Sequence, residues 1–221
     1  MRRAIAVDGP AGAGKSTVSR LLARRLGLTY VDTGAMYRAV ALLAAERGIA
    51  VDDQTALAQL CDTLAFGVSE DGERLLVDGR DLTAALRRRE VADLASRVSV
   101  QPAVRERLVA RQRALAGSGG VVMEGRDIGT VVLPDAALKV FLTASAAERA
   151  RRRARELRDR GEPVDEAALE AEIAARDARD SSRATAPLRA AADAVVLDTT
   201  QLTIAQAVDK LEALARAAGV A

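Results

Sequence analysis

Histidine and asparagine are both missing from the 221 residues, and cysteine occurs once, at Cys61. Without histidine there is no Ser-His-Asp chemistry and no imidazole-held metal. Without asparagine the N-K-x-D motif that reads guanine in GTPases cannot be present. A single cysteine excludes a disulfide within the chain and a cysteine zinc cluster; it fits a reducing compartment and reads as a small buried apolar residue. Lysine is almost missing too, since Lys15, Lys139 and Lys210 are the only three. Nearly all positive charge is therefore arginine, whose planar fork grips phosphates and stays charged when buried, although a coding bias would produce the same composition. The net charge is only +2, from 33 basic and 31 acidic residues. That balance is no electrostatic footprint for nucleic acid, though local clusters suit small anions. No apolar run reaches membrane-spanning length, and no basic-then-apolar leader precedes the first strand. A cytoplasmic monomer without nucleic-acid or membrane partners is expected.

What is present begins at once. Ala4-Ile5-Ala6-Val7-Asp8 is a short apolar strand, and Gly9-Pro10-Ala11-Gly12-Ala13-Gly14-Lys15-Ser16-Thr17 follows it. The second block fits the G-x-x-x-x-G-K-[ST] phosphate loop. Its glycines let the backbone wrap an anion, successive N–H groups point inward, and the next helix adds its positive N-terminal end. Lys15 is expected at the β- and γ-phosphates, with the Ser16 hydroxyl on Mg²⁺. Val18, Leu21, Leu22 and Leu26 share one helical face, so the helix stands on its own periodicity. The chain is expected to bind ATP with Mg²⁺.

The rest alternates strand and helix. Strands are expected over 28–32, 121–123, 138–143 and 194–197, and helices over 35–47, 53–64, 102–116, 145–160, 165–176 and 203–217. Residues 66–69 and 74–77 flank Glu70-Asp71-Gly72-Glu73 as a hairpin. This stretch breaks the βαβ rhythm, so residues 65–98 read as a small inserted subdomain within a single domain of 1–221, and 145–182 as a helical lid. Alternation of this kind means an α/β fold, a parallel sheet covered on both faces, with ligands beyond the carboxyl ends of its strands.

A phosphate loop alone does not separate a motor, a switch and a kinase. A kinase for a phosphorylated acceptor must gather two polyanions, so it needs arginines around one cleft and a lid that excludes water. Arginines stand at suitable places: Arg38 after the second strand, Arg126 after the third, residues 149–160 in the lid, then Arg176, Arg179 and Arg183. No general base is required, because the acceptor oxygen is already ionised.

Four blocks then carry a resemblance. The phosphate loop, Asp32-Thr33-Gly34-Ala35-Met36-Tyr37-Arg38, Glu124-Gly125-Arg126-Asp127-Ile128-Gly129-Thr130-Val131-Val132 and Arg183-Ala184-Thr185-Ala186-Pro187-Leu188 resemble, in order and spacing, the signature blocks of the bacterial cytidylate kinase family. The insertion at 65–98 is similar to that of the bacterial type, and the resemblance covers essentially the whole chain. It implies a P-loop core with a five-stranded parallel sheet, an acceptor-binding region and a lid, and transfer of the γ-phosphate of ATP to CMP or dCMP. It further implies that Thr33, Arg38, Arg126 and Arg176 face the acceptor phosphate or its surroundings, that Ser96, Arg105 and Asp127 read cytosine, and that Asp180 and Arg183 meet sugar and phosphates. The base assignment also follows from cytosine itself. An acidic acceptor suits its N4 amine and an arginine donor suits N3 and O2, whereas uracil would set a carbonyl against Asp127.

Plainer roles stand beside these. Asp127 reads also as a turn cap against Gly129, Arg126 as a surface partner of Glu124, Arg105 as an ion-pair former on its own helix, and Tyr37 as packing alone. Most of the lid arginines read as a solvated face neutralised by Glu148, Glu156 and Asp159. Two or three are expected on phosphates, with Arg149 and Arg153, one turn apart, as the candidates. Asp8 is expected to support the loop. The rival functions are another small-molecule kinase on the same scaffold and a regulatory nucleotide switch or motor.

Overall fold

Ala4–Asp8 (β1) is buried at all five positions, as a strand covered on both faces must be. Val121–Gly125 (β6) is buried throughout in the same way. The computed structural model describes residues 3–69, 74–117, 119–183 and 186–220. With Thr29–Asp32 (β2), Leu138–Thr143 (β7) and Val195–Asp198 (β8), these strands form a five-stranded sheet in the order β2-β6-β1-β7-β8. Every pairing in it is parallel. The strand order changes direction at β1, so the crevice beyond its carboxyl end opens at a switch point, where ligands of such sheets bind.

Strand parity decides which side chains share a face. Ile5, Val7, Tyr30, Val122, Val140 and Leu142 pack with Lys15–Leu26 (α1) and Ile204–Ala217 (α8) through Val18, Leu22, Val208 and Leu211. Ala4, Ala6, Val31, Val121 and Met123 point the other way, towards Ala116 and the turn around Ile128 and Val132. Thr33–Glu46 (α2), Gln54–Thr63 (α3), Arg89–Val98 (α4) and Pro102–Ala116 (α5) build a third apolar cluster around Met36, Leu57 and Leu108.

Phe66–Val68 (β3) and Leu75–Val77 (β4) pair antiparallel, and Arg80–Asp81 (β5) adds a two-residue third strand. The hairpin turn 70–73 lies outside the described residues. Leu75, Val77, Leu86, Val91, Ala95 and Val98 join the cluster of α2, α3 and α5. The inserted segment thus shares a core with its neighbours. Cys61 lies in this cluster, and burial pushes its thiol up to about 11, which fits a packing role.

Ala146–Arg158 (α6) and Glu166–Ser181 (α7) pack against each other as a helical pair. Ser145 caps α6 by accepting from the Glu148 amide, and Asp165 caps α7 by accepting from Ala167 and Ala168. Helix α7 runs five residues past its expected end at 176, because no glycine or proline interrupts it. Among the described residues no helix is long and apolar enough to cross a membrane.

Gly9 shows why the first loop residue is glycine. Its φ is +147°, and a Cβ there would lie 1.9 Å from the Leu142 carbonyl oxygen on β7. Both partners are backbone, so neither can give way. Gly9→Ala is expected to cost about 3–5 kcal/mol. In a chain of this size that lowers Tm by roughly 10 °C or more, which a circular-dichroism melt checks.

Candidate active site

The phosphate loop connects β1 to α1, and Gly14 caps the helix in the left-handed region with φ 91°. Lys15 is buried, and its Nζ donates to the Pro10 carbonyl at 2.8 Å, so the side chain curls across the loop. Burial, and then the positive charge of Arg126, hold its ammonium below the usual lysine range, with Glu124 and Asp8 opposing. Asp8, at the end of β1, accepts from the Ile128 and Gly129 amides, each at 2.7 Å. It therefore clamps the π-helical turn Ile128–Val132 to the phosphate loop. Burial pushes Asp8 up to about 6, and those two amides pull it the other way.

Beyond β2, Asp32 caps α2 by accepting from Ala35 at 2.9 Å and pairs with Arg38 at 2.7 Å. Thr33 is buried and donates to the Glu124 carbonyl at 2.7 Å, tying β2 to β6. Arg126 does not pair with Glu124. Its Nε donates to Asp180 at 3.2 Å, and Arg183 donates to the other oxygen of Asp180 at 2.6 Å. Arg176 is the orphan of the group, since its buried Nε has no partner. Its pKa is held down by burial first and then by Arg126, while Asp180 opposes; Arg183 and Arg38 depress it further. Four guanidinium groups thus converge on one place with a single fully buried carboxylate among them. Such a cluster, with an unpartnered donor, is shaped for an oxyanion.

A second group lies beside it. Arg105 and Asp127, each nearly buried, form an ion pair. The Arg105 guanidinium lies 5.9 Å from the centre of the Tyr37 ring and also donates to the Ser99 carbonyl at 3.3 Å. Ser96 is half-buried on α4, and its carbonyl accepts from Ser99 Oγ at 3.0 Å. Arg105 and Asp127 are 22 residues apart and meet because α5 packs on the turn after β6. Their partners are thus each other rather than the local neighbours that the plainer roles supply.

The arginines of α6 divide differently from the sequence expectation. Arg149 is buried, donating to Ala144 O, to Ala11 O at 3.2 Å and to Asp177 at 2.5 Å, so it struts the loop against α7. Arg153 lies on the outer face and pairs with Glu156. Arg152, not singled out by the sequence, leans over the phosphate loop. It donates to Ala13 O at 3.3 Å and to Thr199 O at 2.7 Å, and its Nη1 is the nearest group to where a Gly14 Cβ would point. The helical spacing of 149 and 153 carried no information on which face meets the loop.

Sequence reasoning also missed Glu124 and Tyr30. Glu124 is buried and accepts from the Tyr30 hydroxyl at 2.5 Å. Burial, then the charge of Asp32, raises its pKa, while Lys15, Ser16 and Tyr30 oppose. Strand parity was the available signal, since Tyr30 and Asp32 are two residues apart on β2, and Asp32 is in register with Glu124.

The oxygen donors near the loop are the exposed Ser16 hydroxyl and the carboxylates of Glu124 and Asp32. Among the described residues no group of three or more histidine, cysteine or acidic side chains forms a metal cage. A Mg²⁺ carried in on phosphates needs only one or two protein oxygens, so this donor set fits it.

Fold and site together define a phosphate-loop α/β protein with a second, arginine-lined anion site beside the first. The chain belongs to the cytidylate kinase family: the family profile, described as cytidylate kinase, matches residues 5–217. It is 52% identical over 212 residues to a cytidylate kinase of Pelotomaculum thermopropionicum, covering 95% of this chain and 94% of that one. It is 51% identical to a cytidylate kinase of Geobacillus sp. strain WCH70, covering 94% and 93%. A solved structure of an uncharacterized protein from Eubacterium ventriosum overlays with a TM-score of 0.50 at 14% identity, covering 96% of each chain, a likeness of fold alone.

Proposed function

We infer that the protein transfers the γ-phosphate of ATP to CMP, and to dCMP, giving ADP and the nucleoside diphosphate. One observation carries this reading. Arg176 keeps a buried Nε without a partner, and Arg126 and Arg183 share the buried Asp180, so a guanidinium cluster with a donor to spare follows the strand that neighbours the phosphate-loop strand. Two phosphates held on either side of Arg126 would be brought together against their own repulsion.

In this reading the loop amides and Lys15 hold the β- and γ-phosphates, and Arg38, Arg126, Arg176 and Arg183 receive the acceptor phosphate. Charge spreads over the equatorial oxygens as the phosphoryl group passes, and fixed guanidinium groups stabilise it without reorganising. The acceptor oxygen is already ionised, so no proton needs to move. Asp180 keeps Arg126 and Arg183 aimed when the site is free of substrate. Arg105 and Asp127 open to accept the cytosine edge, and Tyr37 supports Arg105 from below. Mg²⁺, when bound, neutralises charge on the donor's phosphates; Ser16 would be its protein ligand, with Glu124 and Asp32 behind. Arg149 and Arg152 tie the lid to the loop and so exclude water from the donor.

An acceptor panel in an ADP-release assay tests the reading. CMP and dCMP are expected to exceed AMP, UMP and neutral metabolites by more than tenfold in kcat/KM. Turnover with AMP or a neutral acceptor above that with CMP would refute it, as would hydrolysis indifferent to CMP.

A further inference from the structure

We propose that Tyr30 is a positioning residue for the donor site, acting through Glu124 to set how much the metal adds to ATP binding. The inference rests on the Mg²⁺ assignment above. Tyr30 is buried beneath α1, its ring packed among Val18, Leu22 and Val122. An aromatic ring in that place needs no hydroxyl for packing, and a buried hydroxyl needs a partner. Its partner is the Glu124 carboxylate, 94 residues away and 2.5 Å distant. The Ser16 hydroxyl acts on the same carboxylate from the phosphate-loop side. Glu124 is thus gripped by a rigid phenol on one side and neighbours, on the other, the residue that fits the metal.

That arrangement has a consequence when the donor arrives. With Ser16 turned to the ion, the carboxylate depends on Tyr30 for its hydrogen bond. Lys15, the neighbouring residue, is a competing cation for it, and its charge already acts on Glu124. Tyr30 keeps one carboxylate oxygen engaged throughout the exchange, since a phenol has few rotamers to lose and its ring is fixed by packing. The other oxygen then stays turned towards the metal's water rather than swinging onto Lys15. Without the hydroxyl, Glu124 would pair with Lys15 or wander, and the ion would lose its outer support.

Calorimetric titration with Mg·ATP and with metal-free ATP in EDTA tests this without relying on turnover. The wild-type protein is expected to prefer Mg·ATP, and Tyr30→Phe to lose about tenfold of that preference while metal-free ATP and CMP bind within twofold of wild type. Glu124→Gln should lose the same preference, and the double variant should lose no more than the worse single one. An unchanged preference in Tyr30→Phe, an equal weakening of both forms of ATP, or additive losses in the double variant would each overturn the role of Tyr30 alone. Absence of any metal preference in the wild type would overturn both this inference and the Mg²⁺ assignment. Overlapping thermal melts and unchanged CMP binding establish that the variants are folded.

Discussion

Lys15→Ala is expected to lower kcat by about 10³-fold or more while the fold survives. The loss is large because Lys15 stands where donor charge must be neutralised, and the loop amides cannot replace a full positive charge. The small effect on stability has a separate cause. In the free protein the ammonium is buried, is pushed towards neutrality by burial and Arg126, and donates a hydrogen bond to Pro10. Removing a buried charge relieves its desolvation cost, which offsets the lost hydrogen bond. The melting temperature should stay within a few degrees of wild type. Steady-state kinetics beside a circular-dichroism melt checks both halves; a kcat within tenfold of wild type would contradict the phosphate role.

Asp127→Ala has the second-largest expected effect, and it falls on a different step. Asp127 and Arg105 are paired in a nearly dry setting, so truncating one leaves the other's charge stranded. Such stranding costs about 3–5 kcal/mol. Among the described residues, the Tyr37 ring and the Ser99 carbonyl then remain beside the Arg105 guanidinium. CMP turnover is expected to fall by about 10²–10³-fold in kcat/KM, with ATP affinity unchanged. Asp127→Asn separates base reading from stability, because it keeps the volume and one acceptor but adds a donor. That donor suits a uracil carbonyl, so the CMP-to-UMP ratio should fall more than the melting temperature does. A ratio equal to wild type in Asp127→Asn would rule out the base contact.

Much of the fold is legible in the sequence alone. The loop at 9–17 specifies its own geometry through local chemistry, and the alternation of strands and helices implies the parallel sheet that the structure contains. The helix over 102–116 was bounded by Pro102 and Gly117, which are punctuation that local sterics enforce. Where such marks were missing, boundaries slipped: α7 continues to Ser181 and so carries Asp177 and Asp180, the partners of Arg149 and of Arg126 and Arg183. The two-residue strand β5 carried too little pattern to be seen.

Chain chemistry alone decided that a phosphate-loop turn forms after the first strand, that nearly all positive charge is arginine, and that no histidine takes part. These are properties of single residues and of neighbours within a turn. Packing alone decided which arginine faces the loop, that Asp180 binds two of them, and that Tyr30 grips Glu124. Each of those depends on strand register or on which side of a helix is buried. Contacts spanning 54 to 139 residues come from the sum of many apolar contacts and leave no mark at the residues themselves.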